Sequence, residues 1–414
     1  MLIEKNLRTQ RETTVSVVGS MNCMPTEYAM LLSTRDWKVL HHIDANSGDS
    51  LSNPLLRYKN FIENSKIYYS FMRYKHPFFF LLPAIFHGRL IAELNRSNLI
   101  ILSGASISLA RLIKKTHTKT VLALGYGDDV SVLCNTEWPL ARLNQRGLGA
   151  KLSFGWFIFI LQTWFVNIQR KGLLACTHVA YFPTGFDPKT DKILEELIKD
   201  DAPRRLTRYS INTDNLPVLQ STFLSKEQAG MKVMFPVRFS SSSDIFLGKG
   251  WKLFLDGVAF YLKLRPKIDT QFYCFNKGDS IEEAKEYAKH LGVDNNIRWL
   301  NVVPFHILYS YMNDVDVIVD QLGEQWLGVG MWGALLGKPV ISNLSKPSIR
   351  DKFTGSRFLH AADAQQFAMH LISCESLEFR VHCRKINTNF AIEKLSLKNE
   401  FDTWGVADYC EVEI

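Results

Sequence analysis

The feature that most constrains this chain is an alternation met twice along its length. Short runs rich in Val, Ile and Leu stop at a small or turn-forming residue and give way to stretches that can be helical. In the first half the runs are residues 15–18, ending at Gly19 and Ser20, then 38–43, 99–102 and 120–124, the last leading into Gly125-Tyr126-Gly127-Asp128-Asp129. Residues 25–32 are the first helical stretch. Such alternation predicts an α/β fold with a parallel sheet covered on both faces and ligands at the carboxyl ends of the strands.

The pattern then restarts. Strands are expected at 232–236, 270–275, 297–300, 315–319 and 339–342, with helices at 251–264, 280–291 and 304–312. Two doubly wound units are also what the length asks for, since 414 residues exceed one core at roughly 100 to 200 residues per domain. The charged stretch that follows residue 188, with Pro203 and Pro217 and no strong apolar period, reads as the link between them. The expected organisation is a first domain over 1–190, a link over 191–230, a second domain over 231–385 and a terminal helical stretch over 386–414. At 46% hydrophobic and 22% charged residues, the chain is neither disordered nor a coiled coil.

Charge is unevenly placed. Residues 1–188 hold 21 Lys or Arg against 12 Asp or Glu, a balance of +9, while 189–414 hold 28 against 29. Residues 51–119 alone contribute +9, from eleven basic groups and only Glu63 and Glu93, interleaved with Tyr68, Phe71, Tyr74, Phe78 and other aromatics. That mixture suits an anionic membrane surface better than duplex nucleic acid. The longest uncharged run, 152–169, contains five polar residues and reads as a buried or interfacial helix rather than a membrane span. Seven scattered cysteines without a Cys-x-x-Cys pair signal neither a zinc site nor a disulfide framework. Charges at Glu4, Lys5, Arg8, Arg11 and Glu12 interrupt any signal peptide, so a cytoplasmic location, peripheral on the cytosolic membrane face, is expected.

The chemistry concentrates in residues 316–342, DVIVDQLGEQWLGVGMWGALLGKPVIS. A strand ends near Val319, a loop carries Glu324, and Gly328 and Gly330 precede a helix that stops at Gly337. Glycines ahead of a helix let a ligand approach the backbone, and free amides there suit a diphosphate. This segment resembles the carboxyl-terminal signature of retaining glycosyltransferases of family 4, in which Glu, seven residues and a second Glu are followed by Gly-x-Pro-Val. Here Glu324 matches the first glutamate and Gly337-Lys338-Pro339-Val340 the end, while Trp332 stands where the second glutamate belongs. Arg238, eleven residues before Lys249-Gly250, is similar to the family's Arg and Lys-Gly pair. Pro183-Thr184-Gly185-Phe186-Asp187 is similar to its Pro-x-Gly-x-Asp turn, and Gly127-Asp128-Asp129 to its Gly-Ser-Asp turn, with Tyr126 replacing a histidine.

The resemblance extends over most of the chain and implies the GT-B fold, two facing Rossmann-like domains with a terminal helix that returns to the first. It implies transfer of a sugar from a nucleoside-diphosphate donor to a glycan or lipid-linked acceptor, with retention and with no metal or other cofactor. Carried over, Arg238 and Lys249 bind the donor phosphates with the amides near Gly328 and Gly330, and Glu324 holds the donor sugar. Gly19 and Ser20 approach the diphosphate from the first domain, and Asp129 touches acceptor or donor. Trp332 cannot accept bonds from ribose hydroxyls, so a stacking contact is expected there instead. Asp314-Val315-Asp316 imitates the metal-binding Asp-x-Asp of the other large glycosyltransferase fold but opens an expected strand, and His41 and His42 read as structural. Two alternatives stay open: a nucleotide-sugar epimerase of the same architecture, and a non-catalytic partner subunit, the latter motivated by Trp332.

Overall fold

The structure, a computed structural model, describes residues 13–35, 37–45, 53–58, 63, 65–116, 119–125, 128–145, 154–199, 203–222, 224, 230–240, 249–323 and 328–406; at 22, 128, 129, 145 and 154 it describes the backbone alone. They form two compact units. The first comprises the described residues up to Phe182, Asp187–Tyr209 and those from Phe401; the second comprises Pro183–Phe186 and Ser210–Glu400.

The first unit is built on seven strands: β1 (Thr14–Val18), β2 (Lys38–Ile43), β3 (Ile67–Phe71), β4 (Leu99–Ser103), β5 (Thr120–Leu124), β6 (His178–Tyr181) and β7 (Arg204–Thr207). Their order is β3-β2-β1-β4-β5-β6-β7, and every pairing is parallel. The central strands β4 and β5 are buried along their whole length, as strands covered on both faces must be. Phe165, Ile168 and Leu173 of the helix Phe154–Ala175 join Ile100, Leu102 and Val121 in the core. Among the described residues no helix is long and apolar enough to cross a membrane.

The second unit carries β8 (Met231–Phe235), β9 (Thr270–Phe275), β10 (Ile297–Leu300), β11 (Val317–Val319), β12 (Val340–Ser342) and β13 (Phe358–His360), again all parallel, in the order β10-β9-β8-β11-β12-β13. Its core is aromatic: the Phe235 and Phe254 rings stack at 4.4 Å, with Phe239, Trp251, Phe272 and Phe367 packed around them. In both units the strand order reverses beside the first strand, between β1 and β4 and between β8 and β11. The carboxyl ends of those strands are where doubly wound sheets leave a crevice for ligands.

Most of the expected elements sit where the sequence predicts them, and four strands are missed. β6, β7 and β13 are three or four residues long, and in β7 only Leu206 is buried, so no apolar period marks it. β3 is an edge strand whose exposed Tyr68, Ser70 and Phe71 read as part of the basic aromatic stretch. Residues 191–230, read as a link, supply most of the helix Pro188–Leu197 and the whole of β7, and the change of unit falls at Tyr209 and Ser210. Expected strand 315–319 begins only at Val317, because the helix Phe305–Asp314 runs on to Asp314. The terminal helices Leu377–Lys394 and Leu397–Thr403 bring Phe401 and Trp404 onto Tyr28 of the first unit, with ring centroids at 6.0 and 5.8 Å, and the Trp404 indole donates to the Thr207 carbonyl at 3.0 Å.

Candidate functional site

In the second unit the chain leaves β11 at Asp320, a fully buried carboxylate. Asp320 accepts the amides of Gln321 at 2.8 Å, Gly328 at 2.9 Å and Gly330 at 2.6 Å. The two glycine amides expected to meet a phosphate are thus already engaged, and the helix Val329–Leu335 they open is a short one. Burial raises the Asp320 carboxyl, while the three amides and Lys249 pull it back down. The sequence reading passes over Asp320; its only signal is an acid directly after a strand and eight and ten residues ahead of two glycines.

The turn after β8 meets this one. Leu322 donates its amide to the Lys249 carbonyl at 3.2 Å, and the Lys249 ammonium donates to Gln321 Oε1 at 2.9 Å. Gly250, with φ of +74°, allows that approach: a β-carbon there would stand 2.2 Å from the Gly323 nitrogen and 2.4 Å from the Leu322 carbonyl carbon. Burial, and after it Arg238, pushes the Lys249 ammonium down to about 8, with Asp320 acting the other way. Arg238 is exposed. Lys277, just beyond β9, is lowered by burial and by Arg238, which makes it a third cation at this corner and one the sequence reading missed. Ser342, the last residue of β12, and Asn343 just after it close the turn by donating to the carbonyls of Gln321 at 2.9 Å and Leu322 at 3.1 Å. The structure therefore gathers Lys249, Asp320, Gln321 and Arg238 at the carboxyl ends of β8 and β11. Glu324 lies outside the described residues.

Trp332 is 7% exposed and packs edge-on against Phe305 at 5.0 Å and Tyr309 at 6.0 Å. The rings it meets are those of the helix Phe305–Asp314. Burial raises the Tyr309 hydroxyl to about 12. Asp314 accepts from the Thr222 hydroxyl and Asp316 from the Lys232 amide at 2.9 Å, so both carboxylates of the Asp-x-Asp look-alike serve the packing of the second unit.

In the first unit the turn after β1 carries no charged side chain of its own and is held by hydrogen bonds to the end of β2 and the residues after it. Gly19, with φ of +107°, donates to the His42 carbonyl at 2.9 Å, and its own carbonyl meets His41 Nε2 at 2.8 Å. The buried Ser20 hydroxyl donates to Asp44 at 2.7 Å and accepts the Ala45 amide at 2.9 Å. Burial drives His41 down to about 4, so its imidazole is neutral. His42 Nδ1 pairs with Ser70 at 2.8 Å. Asp187 caps the helix Pro188–Leu197 and accepts from Tyr181 at 2.8 Å, which gives the Pro-x-Gly-x-Asp turn a structural duty. Asp129 lies in the short helix Asp128–Ser131, its side chain outside what is described.

This arrangement, two Rossmann-like units with strand-end turns at each reversal of strand order, is also found in solved enzymes. The fold is that of GT-B glycosyltransferases. HepE of Anabaena in complex with UDP and glucose matches with a TM-score of 0.58 at 10% identity, over 96% of this chain and 99% of its own. A glycosyltransferase from Rickettsia africae matches at 0.61 and 15% identity, over 97% and 98%. Sucrose-phosphate synthase from Thermosynechococcus elongatus matches at 0.61 and 9% identity, over 96% and 98%. No protein-family model matches the chain, and no curated protein matches it in sequence.

Proposed function

We propose that this protein is a retaining glycosyltransferase, similar to family 4, that moves a sugar from a nucleoside-diphosphate donor to a glycan or lipid-linked acceptor without a metal. The observation that carries the reading is the buried Lys249 ammonium beside Gln321 and Asp320, at the carboxyl end of β8 in a fold shared with a protein solved with UDP. With a pKa of about 8, Lys249 is mostly protonated at pH 7, and an arriving phosphate stabilises that charge further. A departing nucleoside diphosphate needs fixed positive charge more than covalent help, and Arg238 and Lys249 supply it, with Lys277 behind them. Glu324 holds the donor sugar, and Asp129 touches the acceptor or donor. Gly19 and Ser20 approach the diphosphate from the first domain, with the Ser20 hydroxyl already committed to Asp44 and the Gly19 amide to the His42 carbonyl.

A thermal-shift panel of UDP, GDP, ADP, CMP and dTDP with their sugar conjugates, run without metal and again with EDTA, tests this. One nucleotide should stabilise the protein by about 2.7 kcal/mol at 100 times its dissociation constant, and EDTA should leave the shift intact. Arg238→Ala and Lys249→Ala should each weaken that nucleotide by about 1.5–3 kcal/mol. Glu324→Ala should lower turnover more than nucleotide affinity. A second reading, a non-catalytic partner subunit, is favoured by the Gly328 and Gly330 amides being held by Asp320 and by Trp332 being packed on protein rings. The absence of any nucleotide shift would select it.

A further inference from the structure

The helix Phe154–Ala175 presents its wrong side to water. Its buried residues, among them Phe165, Ile168 and Leu173, face the first unit's core. Yet Trp156, Phe157, Ile160 and Trp164 are 52%, 55%, 57% and 47% exposed. At 100° per residue these four fall within one quarter to one third of the helix circumference, and Asn167, Lys171 and Leu174 continue the same stripe. A solvated helix places charge on that face; here four large apolar side chains, two of them tryptophans, occupy its first three turns.

Neighbouring elements also expose large apolar side chains. The helix packs against Trp138–Gln145 and Pro77–Leu81, and the latter adjoins Pro83–Phe86. Those elements and the residue between the last two add exposed Leu140, Leu82 and Ile85, the last at 72%. The charge along these segments is mainly basic: residues 137–187 hold five Lys or Arg against Glu137 and Asp187, and residues 63–129 hold nine against Glu63, Glu93, Asp128 and Asp129. Arg142 lies 5.4 Å from the Trp138 ring, an exposed cation set over an aromatic beside the patch. Large apolar side chains rimmed by cations, with tryptophan prominent, are what a lipid headgroup boundary binds. An acidic protein surface would match the cations alone, and a second copy would bring its own positive charge against this one.

We propose that this face of the first unit docks on an anionic lipid bilayer, with Trp156, Phe157, Ile160 and Trp164 inserted at the headgroup level and Arg142 and Lys171 against lipid phosphates. The helix lies in the interface and does not span it. The surface is distinct from the donor site, so the proposal stands or falls apart from the transfer reading.

The test uses the full chain and phosphatidylcholine vesicles with and without about one third phosphatidylglycerol. Cosedimentation with the anionic vesicles only, weakened by salt, is expected. Trp156→Ser, Phe157→Ser and Ile160→Ser together should lower partitioning at least about tenfold, and Arg142→Glu with Lys171→Glu at least about fivefold per basic residue lost, while the thermal shift by nucleotide stays as in wild type. Should the triple variant fail to fold by circular dichroism, brominated lipids decide: they should quench wild-type tryptophan emission, and Trp156→Phe with Trp164→Phe should remove that quenching. No binding to anionic vesicles overturns the proposal, as does binding that the variants leave intact. A dimer that the triple variant dissolves, with no vesicle binding, overturns it in favour of a self-contact.

Discussion

The turn after β1 and the turn after β11 occupy equivalent places, each at the strand end where its sheet reverses order, yet they are built from opposite materials. The first is closed by neutral bonds between Gly19, His41 and His42, with Ser20 held by Asp44 at its side. The second is organised around a buried carboxylate and a buried ammonium, Asp320 and Lys249. A neutral turn holds shape and asks nothing of its surroundings. A buried carboxylate and a buried ammonium are each costly to desolvate and keep their form only while their hydrogen-bond partners are present, which suits a turn that must hold fixed charge ready for a phosphate.

The sharpest way to break that contrast is Asp320→Ala. It leaves three buried amides without their acceptor and removes a negative charge that steadies the Lys249 ammonium, so the second unit should lose about 3–5 kcal/mol. Hydrogen exchange followed strand by strand should show the loss in β8 to β13 and leave β1 to β7 protected; equal loss in both sheets would mean that the two units unfold together.

Acid should strike the other turn. His41 is held at about 4 against an ordinary 6.5, so below pH 6.5 the unfolded chain takes up a proton that the folded one refuses. Stability of the first unit therefore falls as the pH drops from 6.5 towards 4, by up to about 3 kcal/mol. His41→Gln, which stays neutral, should flatten that slope in the protection of β1 and β2.

Glycine replacements compare the two turns directly. Gly250→Ala sets a methyl group against the backbone of Leu322 and Gly323, which cannot withdraw, at a positive φ as well; a cost of about 2–3 kcal/mol is expected. Gly19→Ala is strained by its φ of +107° too, but its methyl meets first the Ser103 hydroxyl, a side chain that can rotate away, and about 1–2 kcal/mol is expected. Urea unfolding of the two variants measures both; a larger loss at Gly19 would mean that the neutral turn is the more rigid.

The smallest effect is the most specific to the charged turn. Between about pH 8 and 10.5 folded Lys249 has lost a proton that the unfolded chain retains, so the second unit gains stability as the pH rises through that window. Nucleotide affinity moves the opposite way, declining above pH 8 as the ammonium is lost. Lys249→Arg should keep affinity level to at least pH 9; a wild-type profile with no decline would remove Lys249 from the donor site.

The sequence by itself determined the architecture. β-branched runs such as 99–102 and 120–124 are buried on both faces, and such strands carry their apolar content locally, where it can be counted. It also marked Lys249-Gly250, through its similarity to the family's Lys-Gly pair, and the structure gives that glycine a close backbone approach beside the cation. What the tertiary structure decided is which groups remain open to a ligand. Gly328 and Gly330 read as free amides until the Asp320 carboxylate, eight and ten residues earlier, folds onto them. Trp332 reads as a surface for ribose until Phe305 and Tyr309 cover it. The exposed stripe of Trp156, Phe157, Ile160 and Trp164 falls in a run that reads as buried or interfacial from composition alone, and only the packing of its other face shows which side is left over. Burial and hydrogen-bond occupancy are properties of pairs of groups brought together by the fold, and no local period of the chain encodes them.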